Sequence, residues 1–230
     1  MNKQKINNSL EEKIENSKKV LKEAYEKYGK GMAISWTGGK DSTTLVHIAR
    51  NIFGSKNKLP IIYLDTQLDF EEIYSFIDKV SKKWSLNLFT IKTTKEQMEK
   101  YNSLKIKADR SKLATYFKIN LLKKAIKKYK ITALVSAIRW DEQPERVAEK
   151  YFSPRKDHMR IHPLLHFTEK DIWKYIKNQK IPYVSLYDKG YRSLGEKEFT
   201  KPAASGGGER SGRQKEREVI MKKLRKLGYF

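Results

Sequence analysis

The stretch "MAISWTGGKDSTTLVHIAR" (32–50) constrains this chain more than any other. A short, β-rich apolar run stops at two adjacent glycines. A helical pattern through Leu45, Val46, Ile48 and Ala49 then begins at once. A strand passing so tightly into a helix belongs to an α/β fold, and the turn between them makes an anion site. Gly38 and Gly39 let the backbone approach phosphate oxygens. The free N–H groups of the first helical turn, backed by the helix dipole, favour negative charge. Thr37, Ser42 and Thr43 offer hydroxyls, and Lys40 adds a point charge. Asp41 is out of place beside phosphate unless it holds Mg2+ bridging the oxygens. The spacing fits neither Walker A nor the G-x-G-x-x-G dinucleotide turn.

The rest of the chain repeats the same alternation. Apolar residues from Ser9 to Tyr28 recur at helical spacing until Gly29 and Gly31 end the pattern. "PIIYLD" (60–65), "LNLFTI" (86–91) and "ITALVSAI" (131–138) read as buried strands. Amphipathic helices are expected over 70–84, from about 112 to 129, and over 168–178, where Thr168 and Asp171 form a capping box. This predicts a doubly wound, parallel, five-stranded α/β sheet. An N-terminal helix (1–30) packs on a nucleotide-binding domain (31–178). Residues 179–230 form an irregular C-terminal segment carrying a lid and a basic helix. "ASGGGERSGR" (204–213) has the composition of a flexible loop.

Composition narrows the chemistry. The chain has no cysteine, which removes disulfides, thiolate metal sites and cysteine nucleophiles from these residues. Four histidines make a histidine metal cage an unfavourable reading. His162, beside Pro163, reads first as a packed turn histidine and second as a base. The net charge of +23 attracts polyanions, although evenly spread lysines also suit a solvated face and count against a focused nucleic-acid groove. No signal-peptide core or membrane-spanning run is evident, so a soluble, cytoplasmic protein is expected.

The turn at 37–42 resembles the "SGGKDS" pyrophosphate loop of the adenine-nucleotide α-hydrolase-like (PP-loop) superfamily, with Thr37 in place of the first serine. "YLDTQLDFEE" (63–72), "AIRWDEQPER" (137–146) and the segment 160–196 resemble the PAPS reductase family. The tail 208–230 resembles the sulfate adenylyltransferase small subunit. This likeness implies ATP and Mg2+ as cofactors and a nucleotide site made of Ser35, Thr37, Gly38, Gly39, Lys40, Asp41, Ser42, Leu64, Asp65 and Thr66. Asp41 would place the metal. The reductases of this family attack sulfur with a cysteine thiolate that this chain lacks, so the expectation is adenylyl transfer to an oxyanion, most simply sulfate.

Lys40, Asp41, Arg139 and Arg146 are the expected catalytic groups. Arg139, Glu142, Arg146, Arg160, Arg210 and Arg213 would grip the acceptor, the last two arginines as a lid. Rival readings are an FMN adenylyltransferase, an ATP pyrophosphatase acting on RNA, and a non-catalytic nucleotide-sensing module. Expected partners are the nucleotide and its oxyanion acceptor, with a GTPase subunit or a homo-oligomer left open.

Overall fold

The computed structural model describes residues 9–54, 59–214 and 219. The basic helix expected beyond the glycine-rich loop lies outside the described residues. Helix α1 (Leu10–Tyr28) starts at a capping box in which Ser9 and Glu12 satisfy each other's backbone N–H groups. Strand β1 (Met32–Ser35) then leads through the glycine turn into α2 (Lys40–Phe53). Next come β2 (Ile61–Asp65), α3 (Glu71–Lys83), β3 (Leu88–Lys92), α4 (Lys95–Ser103) and the long α5 (Lys107–Lys128). β4 (Ala133–Val135), β5 (Phe152–Pro154), β6 (Met159–Ile161) and α6 (Glu169–Asn178) follow.

The sheet has six strands in the order β3-β2-β1-β4-β6-β5, where five were expected. All neighbours are parallel except the edge pair β5–β6. The additional strand comes from the charged stretch after Arg139. A three-residue strand is too short to show an alternating pattern, so β5 is defined by its antiparallel pairing with β6, which in turn pairs with β4, and not by local sequence.

Period-two geometry sorts each strand between two cores. Met32 and Ile34 face a large cluster that takes in α1, α2, α3 and α6. Ala33 faces a second cluster made with Leu121, Leu122, Ala125 and Ile126 of α5. Ile61 and Tyr63 divide from Ile62, and Ala133 and Val135 from Leu134, in the same way. Val184 and Leu186 enter the large cluster, so the segment after residue 178 shares the core of the preceding domain. Among the described residues no helix is long and apolar enough to cross a membrane.

The strand order reverses between β1 and β4. Their carboxyl ends therefore open a crevice where α/β sheets hold ligands. The glycine turn follows β1, and Ser136 to Arg139 follow β4.

Candidate functional site

Two adjoining cavities lie at this switch point. The larger, about 230 Å3, is lined by Lys40, Asp41, Ser42, Ser136, Glu142, Arg146, Glu209 and Arg210 among others. The smaller, about 140 Å3, is lined by Tyr63, Leu64, Asp69, Ile73 and Lys118. Ser35, Thr37 and Leu194 border both.

The turn that forms the floor is held internally. The Thr37 N–H donates to Ser42 Oγ at 3.2 Å, and Ser42 Oγ donates to the Gly39 carbonyl at 3.1 Å. Trp36, fully buried, donates from Nε1 to Thr43 Oγ1 at 3.0 Å, so it is core and not a stacking platform. Gly38 has φ of +74°, and a Cβ there would come within 3.2 Å of Ile73. Only glycine combines that conformation with so close an approach. Gly39 caps α2 without any side-chain hydrogen bond. The Lys40 N–H instead donates to the Tyr187 hydroxyl at 2.8 Å, so one helix N-terminal donor is met by a residue from far along the chain.

The charged groups form one buried network. Lys40 is 1% exposed, and its ammonium donates to the Arg192 carbonyl at 2.7 Å and to the Glu209 carboxylate. Arg139, fully buried, donates to Asp41, to Glu209 and to Asp141, the last at 2.9 Å. Burial pulls the Arg139 pKa down, but Glu209, Asp141 and Glu142 outweigh it and the net shift is upward. Glu142 holds Arg146 and also Arg210, the latter at 2.6 Å. Burial alone would raise the Glu142 carboxyl, yet these two arginines bring it down to about 2.

The expected residues are therefore partly assembled. Ser35, Thr37, Gly39, Lys40, Asp41, Ser42, Glu142, Arg146 and Arg210 line the larger cavity, and Leu64 the smaller. Arg139 stands behind the larger cavity and reaches it through Asp41 and Glu209. Arg160, expected at the acceptor, lies on β6 and donates to His158 Nε2 at 2.8 Å, lining neither cavity. Arg213 packs on Gly195, where a Cβ would meet its guanidinium. Asp65 accepts from the Gln67 N–H at 2.8 Å and pairs with Lys92 at 3.4 Å, while Thr66 is fully buried. Both residues shape the turn after β2 and line neither cavity. Trp140 donates to the Glu149 carbonyl at 3.0 Å.

Asp41 does not fit Mg2+ in this arrangement. It is bonded to Arg139 and lies 3.4 Å from Lys40. The other carboxylates of the larger cavity, Glu142 and Glu209, are likewise paired with cations. Among the described residues no group of three or more His, Asp or Glu side chains is placed to hold a metal.

Sequence reasoning missed Glu209, Ser136, Tyr187, Asp69 and Lys118. Glu209 had a visible signal, a lone acidic residue in a glycine-rich loop otherwise read only for its arginines. Asp69 lies inside the singled-out segment 63–72, while Ser136, Tyr187 and Lys118 carry no local signal because they reach the cavities from other parts of the chain.

The doubly wound sheet, with a glycine turn feeding a helix N-terminus at its switch point, defines a PP-loop fold of the adenine-nucleotide α-hydrolase-like class. Solved structures share it, among them the two that follow. A phosphoadenylyl-sulfate (PAPS) reductase from Candida auris, in a phosphate complex, matches with a TM-score of 0.68 at 18% identity, covering 82% of this chain and 94% of that one. The FMN adenylyltransferase of Candida glabrata matches with a TM-score of 0.68 at 22% identity, covering 85% of this chain and 65% of that one. At those identities the likeness is one of fold.

The family is shown by sequence. Residues 31–202 match the phosphoadenosine phosphosulfate reductase domain, and the chain belongs to that family. The adenosine 5'-phosphosulfate reductase of Halalkalibacterium halodurans is 31% identical over 214 residues, 90% of each chain. The enzyme of the same name from Staphylococcus epidermidis is 30% identical over 200 residues, 84% of this chain and 80% of that one.

These relatives overturn the sulfate adenylyltransferase expectation, and with it ATP-dependent nucleotidyl transfer releasing pyrophosphate. That inference rested on the glycine turn, the arginine segment 139–146, the tail 208–230 and the missing cysteine, and much of the tail falls outside the described residues. The likeness that extends over nine-tenths of the chain is to reductases.

Proposed function

We propose that the chain binds adenosine 5'-phosphosulfate, with the adenosine in the smaller cavity and the phosphosulfate in the larger, and exposes the sulfur to an incoming thiol. One observation carries this reading. A cavity walled by Tyr63, Leu64 and Ile73, with Asp69 and Lys118 also on its lining, joins a charged one in which Lys40, Arg146 and Arg210 meet Asp41, Glu142 and Glu209, with Ser35 and Thr37 at the junction. An adenine nucleotide bearing a second anionic group has that polarity along its length. The names of the relatives supply the sulfonucleotide.

The thiol does not come from these 230 residues, which contain no cysteine. A thiolate from a small molecule or another protein attacks the sulfur, forming an S–S bond as the S–O bond to the phosphate breaks and AMP leaves. A second thiol then releases sulfite and leaves a disulfide, so two thiols supply the two electrons. The cations of the larger cavity stabilise the charge that grows on the departing phosphate.

Calorimetry with adenosine 5'-phosphosulfate, its 3'-phosphorylated form, ATP and AMP tests the substrate. AMP and sulfite are then assayed with dithiothreitol present. Tightest binding of a phosphosulfate, with thiol-dependent AMP release, is expected. No binding of either phosphosulfate, or pyrophosphate release from ATP, would overturn the reading.

A further inference from the structure

Ser136 follows the end of β4 and is fixed there by its N–H, which donates to the Ile161 carbonyl at 2.8 Å. The residue is half-buried and lines the larger cavity. Its Oγ lies 2.9 Å from His162 Nδ1. His162, 2% exposed, turns its other ring nitrogen toward Glu149, with Nε2 3.5 Å from the carboxylate. That distance is long for a hydrogen bond, but the carboxylate is the acceptor facing this buried nitrogen. Glu149 is itself held by Arg155 at 2.9 and 3.2 Å, which fixes its orientation. Burial alone would raise the Glu149 carboxyl, but the nearby His162 and Ser153, with the charge of Arg155, bring it down to about 2.

An ionised Glu149 favours the tautomer with the proton on Nε2. His162 Nδ1 is then an acceptor, and the Ser136 hydroxyl donates to it. A hydroxyl at a cavity, a histidine behind it and a carboxylate behind the histidine form a sequence in which each group orients the next. A purely structural serine would have no need to border the cavity.

We infer that Ser136, His162 and Glu149 form a proton relay that deprotonates the thiol entering the larger cavity, with Ser136 as the catalytic contact and His162 and Glu149 as positioning residues. This rests on the substrate reading above. The thiol's proton passes to Ser136 Oγ while the hydroxyl's own proton moves to His162 Nδ1. The sulfur's freed electron pair forms the S–S bond, and the pair of the breaking S–O bond leaves with AMP. The imidazolium that results faces Glu149, and it faces Arg155 and Arg160 as well, which disfavour its charge and return the proton readily once AMP has gone. An external thiol needs such a base because an unperturbed thiol, with a pKa of about 8.5, is mostly protonated at neutral pH.

The test varies the thiol. Ser136→Ala and Ser136→Thr are compared with the unsubstituted chain, using dithiothreitol and 2-nitro-5-thiobenzoate, which is already a thiolate at pH 7. With dithiothreitol the alanine variant should lose about 100-fold or more in rate, as general-base catalysis requires. It should lose little with the preformed thiolate, and the threonine variant should recover most of the dithiothreitol rate. Equal losses with both thiols, or no loss with either, would overturn the relay.

Two further measurements separate this inference from the substrate reading. Calorimetry of adenosine 5'-phosphosulfate on all three proteins reports binding alone, and its failure on the unsubstituted chain counts against the substrate. Nitrogen-15 NMR of His162 reports the relay without substrate. The Nε2–H tautomer, with an Nδ1 shift altered by Ser136→Ala, is expected, and the Nδ1–H tautomer would overturn the relay whatever the cavity binds.

Discussion

The carboxylate of Glu209 is bonded to the ammonium of Lys40, 169 residues away in the chain. The same carboxylate reaches Arg139, so one acidic side chain neutralises two buried cations beside the larger cavity. On the proposed substrate reading, an arriving phosphosulfate competes with it for Lys40, the one of the two that lines the cavity. Glu209→Gln removes that competitor and leaves two cations short of a partner. Affinity for inorganic sulfate or pyrophosphate should rise by about tenfold or more, while stability without anion falls by about 3 kcal/mol, the scale of a broken buried ion pair. Calorimetry and urea denaturation with and without sulfate check this. Unchanged anion affinity would mean that Glu209 is only a structural counter-ion.

Lys40→Ala removes the central cation of the larger cavity and none of the apolar wall of the smaller. Charge-assisted hydrogen bonds contribute about 1.5–3 kcal/mol each, so affinity for adenosine 5'-phosphosulfate should fall roughly 10- to 100-fold. Adenosine itself should bind nearly as before. Equal weakening of both ligands would argue against the division of the nucleotide between the two cavities.

Gly38 and Gly39 should respond differently to alanine. Gly38 combines φ of +74° with close approach to Ile73 and Ile77, whereas Gly39 has φ of −68° and a nearest neighbour 3.4 Å away. Gly38→Ala should cost about 1–2 kcal/mol for its dihedral alone, with the contact adding to it. The melting temperature then drops by at least about 4 °C in a chain of this size. Gly39→Ala should shift it by less than half as much. Thermal melts of the two variants make the comparison.

Acid should weaken the fold in two stages. Burial lowers the pKa of His47, His158, His162 and His166. Between the usual histidine value of about 6.5 and those depressed values, the unfolded chain binds more protons than the folded one. The stabilisation is complete above about pH 6.5 and is lost as the pH falls below it, by up to about 1.4 kcal/mol per pH unit for each histidine. The contributions of Glu142 and Glu149, both near 2, persist to lower pH and disappear as the pH falls from about 4.3 through those values. Burial raises Asp69, which acts in the opposite sense and favours the fold below its raised value. Urea midpoints from pH 8 to 4 should decline below about 6.5, and a flat profile would contradict the histidine shifts.

The capping box at Thr168 ties local and long-range structure together. Thr168 Oγ1 accepts from the Asp171 N–H at 3.2 Å, and Asp171 pairs with Lys13 of α1 at 2.6 Å. Thr168→Ala should cost about 1 kcal/mol as an N-cap loss. Asp171→Ala should cost more, because it also leaves the buried Lys13 unpaired. Equal losses in urea denaturation would show that the link to α1 contributes nothing.

The glycine turn, strands β1 to β4 and most helices were legible in the sequence because their causes are local. Hydrophobic period, cap residues and glycine positions all act within a few residues. The capping boxes at Ser9 and Thr168 are of this kind. Helix α4 and strand β5 were not legible. The helix is polar on most of its surface, and the strand is three residues long and defined by the neighbour it pairs with.

The sequence alone determined the α/β class, the anion-binding turn at 37–42 and the absence of a thiol. Each of these depends on residue identity or on neighbours along the chain. Only the tertiary structure decided which charged groups meet. It brought Glu209 to Lys40 and Arg139, set Ser136 against His162, and drew Arg160 and Asp65 away from the cavities. Pairing between residues tens to more than a hundred positions apart is governed by how strands and loops stack in three dimensions, and local periodicity carries no record of it.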